Sequence, residues 1–306
     1  MGKVAFLFSG QGAQYPGMGR TWYESSDAAR ALFDAAEQER PGTLELVLAS
    51  DEETLRQTAN TQPALYLVDL AAALTAKEAG VRADAVAGFS LGEIPALAFA
   101  GAYSPLDGFR LACRRGELMG RAAAKADTGM AAVVKLDNET VEALCREHEQ
   151  IYPVNYNCDG QLVVSGLKSE LPTFCEAVKA AGGRAIMLKV GGAFHSPFMD
   201  EASVGFGEVL ANFSLVPPAI PAYSNYTAQP YTADSDLRDL LQKQINHPVK
   251  WARILKAMAA EGIDTFIETG VGTVLTGLVK KVLPEATALS CQSPEELAAV
   301  KAALGL

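Results

Sequence analysis

The chain has 306 residues, 26 Lys plus Arg against 36 Asp plus Glu, a formal net charge of −10 at pH 7, and 49% apolar against 20% charged residues. This balance excludes a disordered chain, which needs low hydrophobicity with high net charge, and the acidic excess speaks against a sequence-independent nucleic-acid binder. The length suggests about two domains, each able to bury a core without disulfide or metal staples.

The apolar run at 4–8 (Val-Ala-Phe-Leu-Phe) reads as a buried strand, and the Gly-rich stretch from Gly10 to Gly19 as a loop. A helix follows from a Ser25 or Ser26 cap to about Gln38. A second spans about 61–79, with Gly80 as its stop. Residues 83–88 read as another buried strand, running directly into Phe89-Ser90-Leu91-Gly92-Glu93 and an apolar helix. A helix at 104–125 carries Arg114 and Arg115.

The middle of the chain changes character. Strand 129–136, helix 138–149 capped by Asn138, strands 151–157 and 161–165 about a Cys158-Asp159-Gly160 turn, helix 168–181 and strand 184–190 follow in order. This βαββαβ order is the ferredoxin-like pattern. It reads as a small domain at 128–191 inserted into a larger one at 1–127 and 192–306. Alternation then resumes with helix 197–213, strand 219–224, helices 235–246 and 249–261, strand 264–268, and a helix to Lys281. The fold class expected is α/β, with a mostly parallel sheet covered on both faces.

Gly88-Phe89-Ser90-Leu91-Gly92 matches the G-x-S-x-G nucleophile elbow, and it sits where that motif needs to sit, between a strand and a helix. Glycines on both sides leave room for the sharp turn. The following backbone N–H groups can stabilise an oxyanion. An ordinary helix cap after a strand is the plainer alternative. A serine hydroxyl needs an adjacent base, and the chain has three histidines. His148 lies among glutamates and reads as solvated. His247 precedes a proline in a loop. His195, in Gly191-Gly192-Ala193-Phe194-His195-Ser196-Pro197, lies where the small domain returns to the large one, and such junctions form clefts. It is the best of the three. Arg114 and Arg115 point about 100° apart on a helix, so at most one faces a cleft. A buried guanidinium there needs an anion and suits a carboxylate bidentately.

These stretches, with Phe8–Gln14, Thr61-Gln62-Pro63-Ala64, Arg115-Gly116, 192–199, 244–251 and 268–278, run in one order over essentially the whole chain. In them the chain resembles the malonyl-CoA:acyl carrier protein transacylases of type II fatty acid synthesis, and more broadly the acyltransferase domains of polyketide synthases. The resemblance implies an α/β-hydrolase-like large domain interrupted by the ferredoxin-like one. It implies Ser90 as the acylated nucleophile and His195 as its base. Gln11 and Leu91 would supply oxyanion N–H groups, and Arg115 would grip the malonyl carboxylate. The Gln244 carbonyl would orient the imidazole. Gln62, Asn155 and Asn157 would line the cleft, and Phe194 would restrict the space at the α-carbon. Phe89 stands where the family usually has His, which makes the site more apolar.

The partners implied are malonyl-CoA and acyl carrier protein, with no cofactor, metal, nucleic acid or membrane, and with a monomer as the common state. Lys189, Lys250, Arg253, Lys280 and Lys281 are candidates for a basic docking patch. A serine thioesterase or esterase on the same elbow, and a polyketide or polyunsaturated-lipid pathway, are the alternatives. Five cysteines, none two residues from another, exclude C-x-x-C signatures and a full disulfide framework. No apolar run reaches the roughly 18 residues of a membrane helix, and the 4–8 run is too short for a signal segment. A cytoplasmic protein is expected.

Overall fold

The computed structural model describes residues 2–306. Nine strands form two sheets: β1 (Lys3–Phe8), β2 (Ala85–Gly88), β3 (Thr128–Val134), β4 (Ile151–Cys158), β5 (Gln161–Leu167), β6 (Arg184–Met187), β7 (Ala222–Tyr223), β8 (Ile263–Thr269) and β9 (Thr287–Cys291). The first sheet has five strands in the order β7-β2-β1-β8-β9, all parallel. The second has four in the order β4-β5-β3-β6, all antiparallel. That is the strand order of a ferredoxin-like unit.

The central strand β1 shows why a continuous apolar run becomes a strand here. Side chains alternate across a sheet. Val4, Phe6 and Phe8 therefore enter one core, while Ala5 and Leu7 enter another. The first core is closed by the helices Thr58–Glu78, Glu93–Phe99 and Pro105–Ala123, and the second by Trp251–Ala260 and Val274–Val282. With both faces covered, no polar residue is tolerated between Val4 and Phe8, and each large side chain there contributes about 1.5–3 kcal/mol of burial. A third, separate core lies between the four-stranded sheet and its helices Asn138–Arg146 and Leu171–Ala180.

Caps set the helix starts. Ser26 accepts from the Ala29 N–H, Ser104 from that of Asp107 ahead of Pro105, and Ser293 from that of Glu296 ahead of Pro294. Asp137, not Asn138, caps the next helix, accepting from the Thr140 N–H at 2.7 Å. Pro63 lies inside the Thr58–Glu78 helix and cannot donate to the Ala59 carbonyl. Arg40 Nη1 donates to that carbonyl instead, at 3.3 Å.

Several elements differ from the sequence reading. The strand expected at 219–224 is only Ala222–Tyr223, because Pro217, Pro218 and Pro221 have no N–H to give a ladder. The strand expected at 184–190 ends at Met187. Short helices at Thr43–Leu48 and Glu52–Arg56, the edge strand β9 and the helix Pro294–Leu304 fall in stretches to which the sequence reading assigns no element. The Pro294–Leu304 helix ends at Gly305, whose φ of 71° only glycine adopts freely.

The sheet positions the site through its strand ends. β1 ends at Phe8 before Ser9–Gly12, β2 at Gly88 before Ser90, and β7 at Tyr223 before Asn225. All three are carboxyl ends of neighbouring parallel strands, where ligands bind in open α/β sheets. At Gly88 an added Cβ would lie 1.9 Å from the Gly92 carbonyl carbon and oxygen. Gly88→Ala is therefore expected to destabilise the fold by about 1–3 kcal/mol, as overpacking does. Differential scanning calorimetry should show the melting temperature lowered by several degrees, and an unchanged midpoint would contradict this close approach.

Candidate active site

Ser90 sits at the turn between β2 and the Glu93–Phe99 helix with φ 54°, in the left-handed region that a serine rarely occupies. Two features hold it there. Gly88 and Gly92 pack without Cβ atoms, Gly92 against the backbone carbonyl of Phe8 and Gly88 against Gly92 itself. Asn225 then clamps the turn from β7: its Nδ2 donates to the Gly88 carbonyl and its Oδ1 accepts from the Ser90 N–H, each at 2.7 Å. The Ser90 N–H is thus occupied. Among the described residues no acceptor takes the backbone N–H of Leu91 or Gln11, so these two remain to serve an oxyanion.

His195 approaches from the opposite segment, also with a positive φ, 60°. Its Nε2 is 2.7 Å from Ser90 Oγ and its Nδ1 is 2.8 Å from the Gln244 backbone carbonyl. A carbonyl only accepts, so Nδ1 carries the proton and Nε2 is the bare acceptor for the Ser90 hydroxyl. His195 is 3% exposed. Burial first, and the Arg115 charge second, lower its pKa to about 3.

Arg115 and Arg114 separate as helix geometry requires. Arg114 pairs with Glu117 on the outer face, while Arg115 is 1% exposed. Arg115 Nη1 donates to Gln62 Oε1 at 2.9 Å, and Nη2 to Gln244 Oε1 at 2.8 Å and to Ser90 Oγ at 3.3 Å. Its Nε has no partner. Burial lowers its pKa to about 10, with Glu93 acting in the opposite sense, so it stays cationic at neutral pH. Gly116 gives Arg115 its depth: a Cβ there would lie 2.9 Å from the Thr58 carbonyl, so the two long helices meet at that point.

A cavity of about 80 Å³ opens beside Ser90, lined by Gln11, Gln62, Phe89, Ser90, Met119, Met130, Asn155, Leu188, Val190, Phe194 and His195. Gln11, Gln62, Phe194 and Asn155, all named from the sequence, are among these lining residues. Phe89 lines the wall and packs edge-on against Trp251, with ring centroids 5.4 Å apart. Leu91, Arg115 and Gln244 lie just behind the wall. Asn157 corrects an expectation: it lies two residues beyond Asn155 on β4, where the pairing with β5 shifts register, and it does not line the cavity. His148 is not freely solvated either. Its ring packs edge-on to Phe174, with centroids 5.6 Å apart, from the turn that follows the Asn138–Arg146 helix.

Glu93, Asn225 and Tyr231 are site residues that the sequence reading passed over. Glu93 is fully buried, accepting from the Asn225 N–H, the Tyr231 hydroxyl and Gln244 Nε2. Burial raises its pKa to about 7 against the pull of these donors. Glu93 lies three residues after Ser90 in an apolar helix, a visible signal. Asn225 stands just beyond the end of a strand, the place such sheets reserve for function. Among the described residues no group of three or more His, Cys, Asp or Glu could hold a metal ion.

A serine on a strained strand-to-helix turn, a neutral imidazole fixed by a carbonyl, and free N–H groups beside them are the parts that serine acyl transfer needs, here on an α/β-hydrolase-like sheet. The comparisons agree. The family described as "Acyl transferase domain" matches residues 5–298, and the chain belongs to it. It is 38% identical over 303 residues to the malonyl CoA-acyl carrier protein transacylase of Bacillus subtilis (strain 168), covering 97% of this chain and 96% of that protein. The structure superposes with a TM-score of 0.96 on the malonyl CoA-acyl carrier protein transacylase of Clostridium perfringens ATCC 13124, at 32% identity, covering 99% and 97% of the two chains. It also resembles a malonyl-transacylase solved in complex with a type II PKS acyl-carrier protein, at TM-score 0.93 and 30% identity, covering 99% and 100%.

The imidazole state gives a test. A His195 pKa near 3 leaves Nε2 bare throughout the working range. Nitrogen-15 NMR of histidine-labelled protein should show a neutral His195 with Nδ1 protonated at pH 5. The unfolded chain takes up a proton near pH 6.5 that the folded site refuses. This group therefore reduces stability as pH falls from about 6.5 toward 3. An imidazolium at pH 5 would contradict the dry site.

Proposed function

We propose that this chain transfers the malonyl group of malonyl-CoA to the phosphopantetheine thiol of acyl carrier protein through a malonyl-Ser90 ester, supplying extender units for fatty acid synthesis. The observation that carries the reading is the relay from Ser90 Oγ to His195 Nε2 and from Nδ1 to the Gln244 carbonyl, with Arg115 Nη2 reaching the same Oγ. The similarity to malonyl transacylases over the whole chain supports the acyl group and both partners.

The chemistry follows from the geometry. His195 Nε2 takes the hydroxyl proton as Ser90 Oγ attacks the thioester carbonyl. The oxyanion is received by the Leu91 and Gln11 N–H groups, which need no reorganisation because nothing else holds them. The tetrahedral intermediate collapses, the C–S bond breaks, and the imidazolium returns its proton to the leaving CoA sulfur. The carrier thiol then gives its proton to His195 and attacks the ester, and Ser90 leaves as the hydroxyl. The Gln244 carbonyl orients the ring in place of a carboxylate. Arg115 is the one buried cation touching Ser90, and its fork suits the free malonyl carboxylate, anchoring the acyl group in reactive geometry. The apolar walls Phe89 and Phe194 exclude water and bulk at the α-carbon.

The reading extends to organisation. We take 128–191 as an inserted domain, whose Asn155, Leu188 and Val190 close the cavity over the Ser90 site of the remainder. All the reactive side chains come from one polypeptide, which suits a monomer. Among the described residues no helix is long and apolar enough to cross a membrane, and five free cysteines suit a reducing cytoplasm. The same half-reactions serve polyketide synthesis. The likeness to a transacylase solved with a type II PKS carrier keeps that pathway as a second reading. The ratio of kcat/KM for the two kinds of carrier protein separates them.

Intact-mass spectrometry after mixing with malonyl-CoA should show a malonyl adduct on Ser90 that persists in water until a carrier thiol is added. Ser90→Ala should abolish it, and undiminished labelling of that variant would end the reading. Rapid hydrolysis of the adduct without carrier would favour a thioesterase. Arg115→Ala removes one partner of a buried charge pair, worth about 2–5 kcal/mol. Malonyl loading should fall about 30-fold or more, with acetyl loading retained or improved in the same assay.

A further inference from the structure

We propose that Glu93 is the positioning residue that makes the site selective for a carboxylated acyl group, by fixing the side-chain amide of Gln244 so that Arg115 is held ready for the acyl carboxylate. The inference rests on the malonyl-transfer reading above and adds a residue to it.

The geometry is a chain of three side chains. Glu93 is 0% exposed, at the start of the Glu93–Phe99 helix. One carboxylate oxygen accepts from Gln244 Nε2 at 3.0 Å, and the carboxylate also takes the Asn225 N–H and the Tyr231 hydroxyl. Gln244 Nε2 has a second acceptor, the Ser90 carbonyl at 2.6 Å. The Ser90 carbonyl cannot donate, nor can the ionised Glu93 carboxylate, and this decides which way the amide faces. Its Oε1 must then turn to Arg115 Nη2, at 2.8 Å. A flipped amide would set its oxygen against two oxygens and its NH2 against the guanidinium donors. Removing the Glu93 oxygen removes one of the two contacts that forbid the flip.

The consequence is selective because the site has two separable parts. Ser90, His195 and the oxyanion donors act on any acyl thioester. Arg115 matters only when the acyl group carries a carboxylate. Glu93 does not touch the reacting atoms, and its hydrogen-bonded link to Arg115 runs through Gln244. A loss of Glu93 that merely loosened the fold would slow every acyl group alike. A loss that frees the Gln244 amide takes from Arg115 Nη2 the shorter of its two acceptors, so the fork turns and malonyl suffers more than acetyl.

The test is single-turnover loading of Ser90 from malonyl-CoA and acetyl-CoA, read by intact mass, with the malonyl-to-acetyl rate ratio as the measured quantity. Glu93→Met, which has no strong acceptor, should lower that ratio at least 10-fold. Glu93→Gln keeps an oxygen for Gln244 Nε2 and should hold the ratio within about threefold of the parent. Where Glu93→Met does not fold, Gln244→Leu decides, since it breaks the same link while leaving Asn225 and Tyr231 on Glu93. It should lower the ratio to the same extent. A ratio unchanged in a folded Glu93→Met or Gln244→Leu protein overturns the proposal, as does an equal loss in Glu93→Gln. Failure of the parent protein to form malonyl-Ser90 overturns the malonyl reading itself, before any variant is compared.

Discussion

Gly88 at the end of β2 and Gly92 one turn later pack so tightly that a Cβ on the first would overlap the carbonyl of the second. That contact lets the chain reverse over three residues and holds Ser90 at a φ of 54°. Such a conformation costs free energy of order 1–3 kcal/mol and persists only where its surroundings over-determine it. Here they do: Asn225 bonds the backbone on both sides of the turn, and Gly92 rests on the last carbonyl of β1. The reactive hydroxyl, the free Leu91 N–H and the Gly10–Gln11 loop take their places from this one turn.

Around it the protein buries several charged or titratable groups that would be unstable singly. Arg115, Glu93, His195 and Asp69 are all within 3% of full burial. Each is provided for by fixed polar partners. Asp69, whose carboxyl is raised well above its usual range by burial, accepts from the Ser9 hydroxyl and the Val271 N–H, and so ties the loop after β1 to the loop after β8. Glu93 balances Arg115 at one remove, through Gln244. Low-dielectric surroundings strengthen each of these links and make each missing partner expensive. The same dryness keeps the imidazole neutral and ready as a base.

Local signals were legible wherever one element decides its own conformation. The buried run of β1, the Ser26 and Ser104 caps, the Gly160 turn and the G-x-S-x-G elbow are all set by nearest neighbours. Signals failed where the decision was not local. The strand before Asn225 shortens because prolines cannot join the ladder. β9 adds to the sheet edge beyond the last periodic pattern, and its half-buried side chains alternate too weakly to announce a strand. Asn157 lies past Asn155 at a register shift in β4 and outside the cavity, a boundary set by how the two sheets meet. Glu93 was in plain sight within the motif, yet a glutamate in an apolar helix gives no hint of which donors will surround it.

The residue types and their order along the chain were enough to indicate the class of fold and the turn that carries Ser90, because turn chemistry and side-chain periodicity act over a few residues, and the Gly-rich junction around His195 singled it out as a candidate among three histidines. Which atoms meet was decided only by tertiary structure. Ser90 and His195 are 105 positions apart, and Ser90 and Gln244 are 154 apart. Their distances are set by how two sheets and their helices pack, a sum of many apolar contacts that no local pattern encodes. The same packing removes water from Arg115 and Glu93. Their charge states and hydrogen-bond partners are therefore properties of the folded assembly, not of the residues themselves.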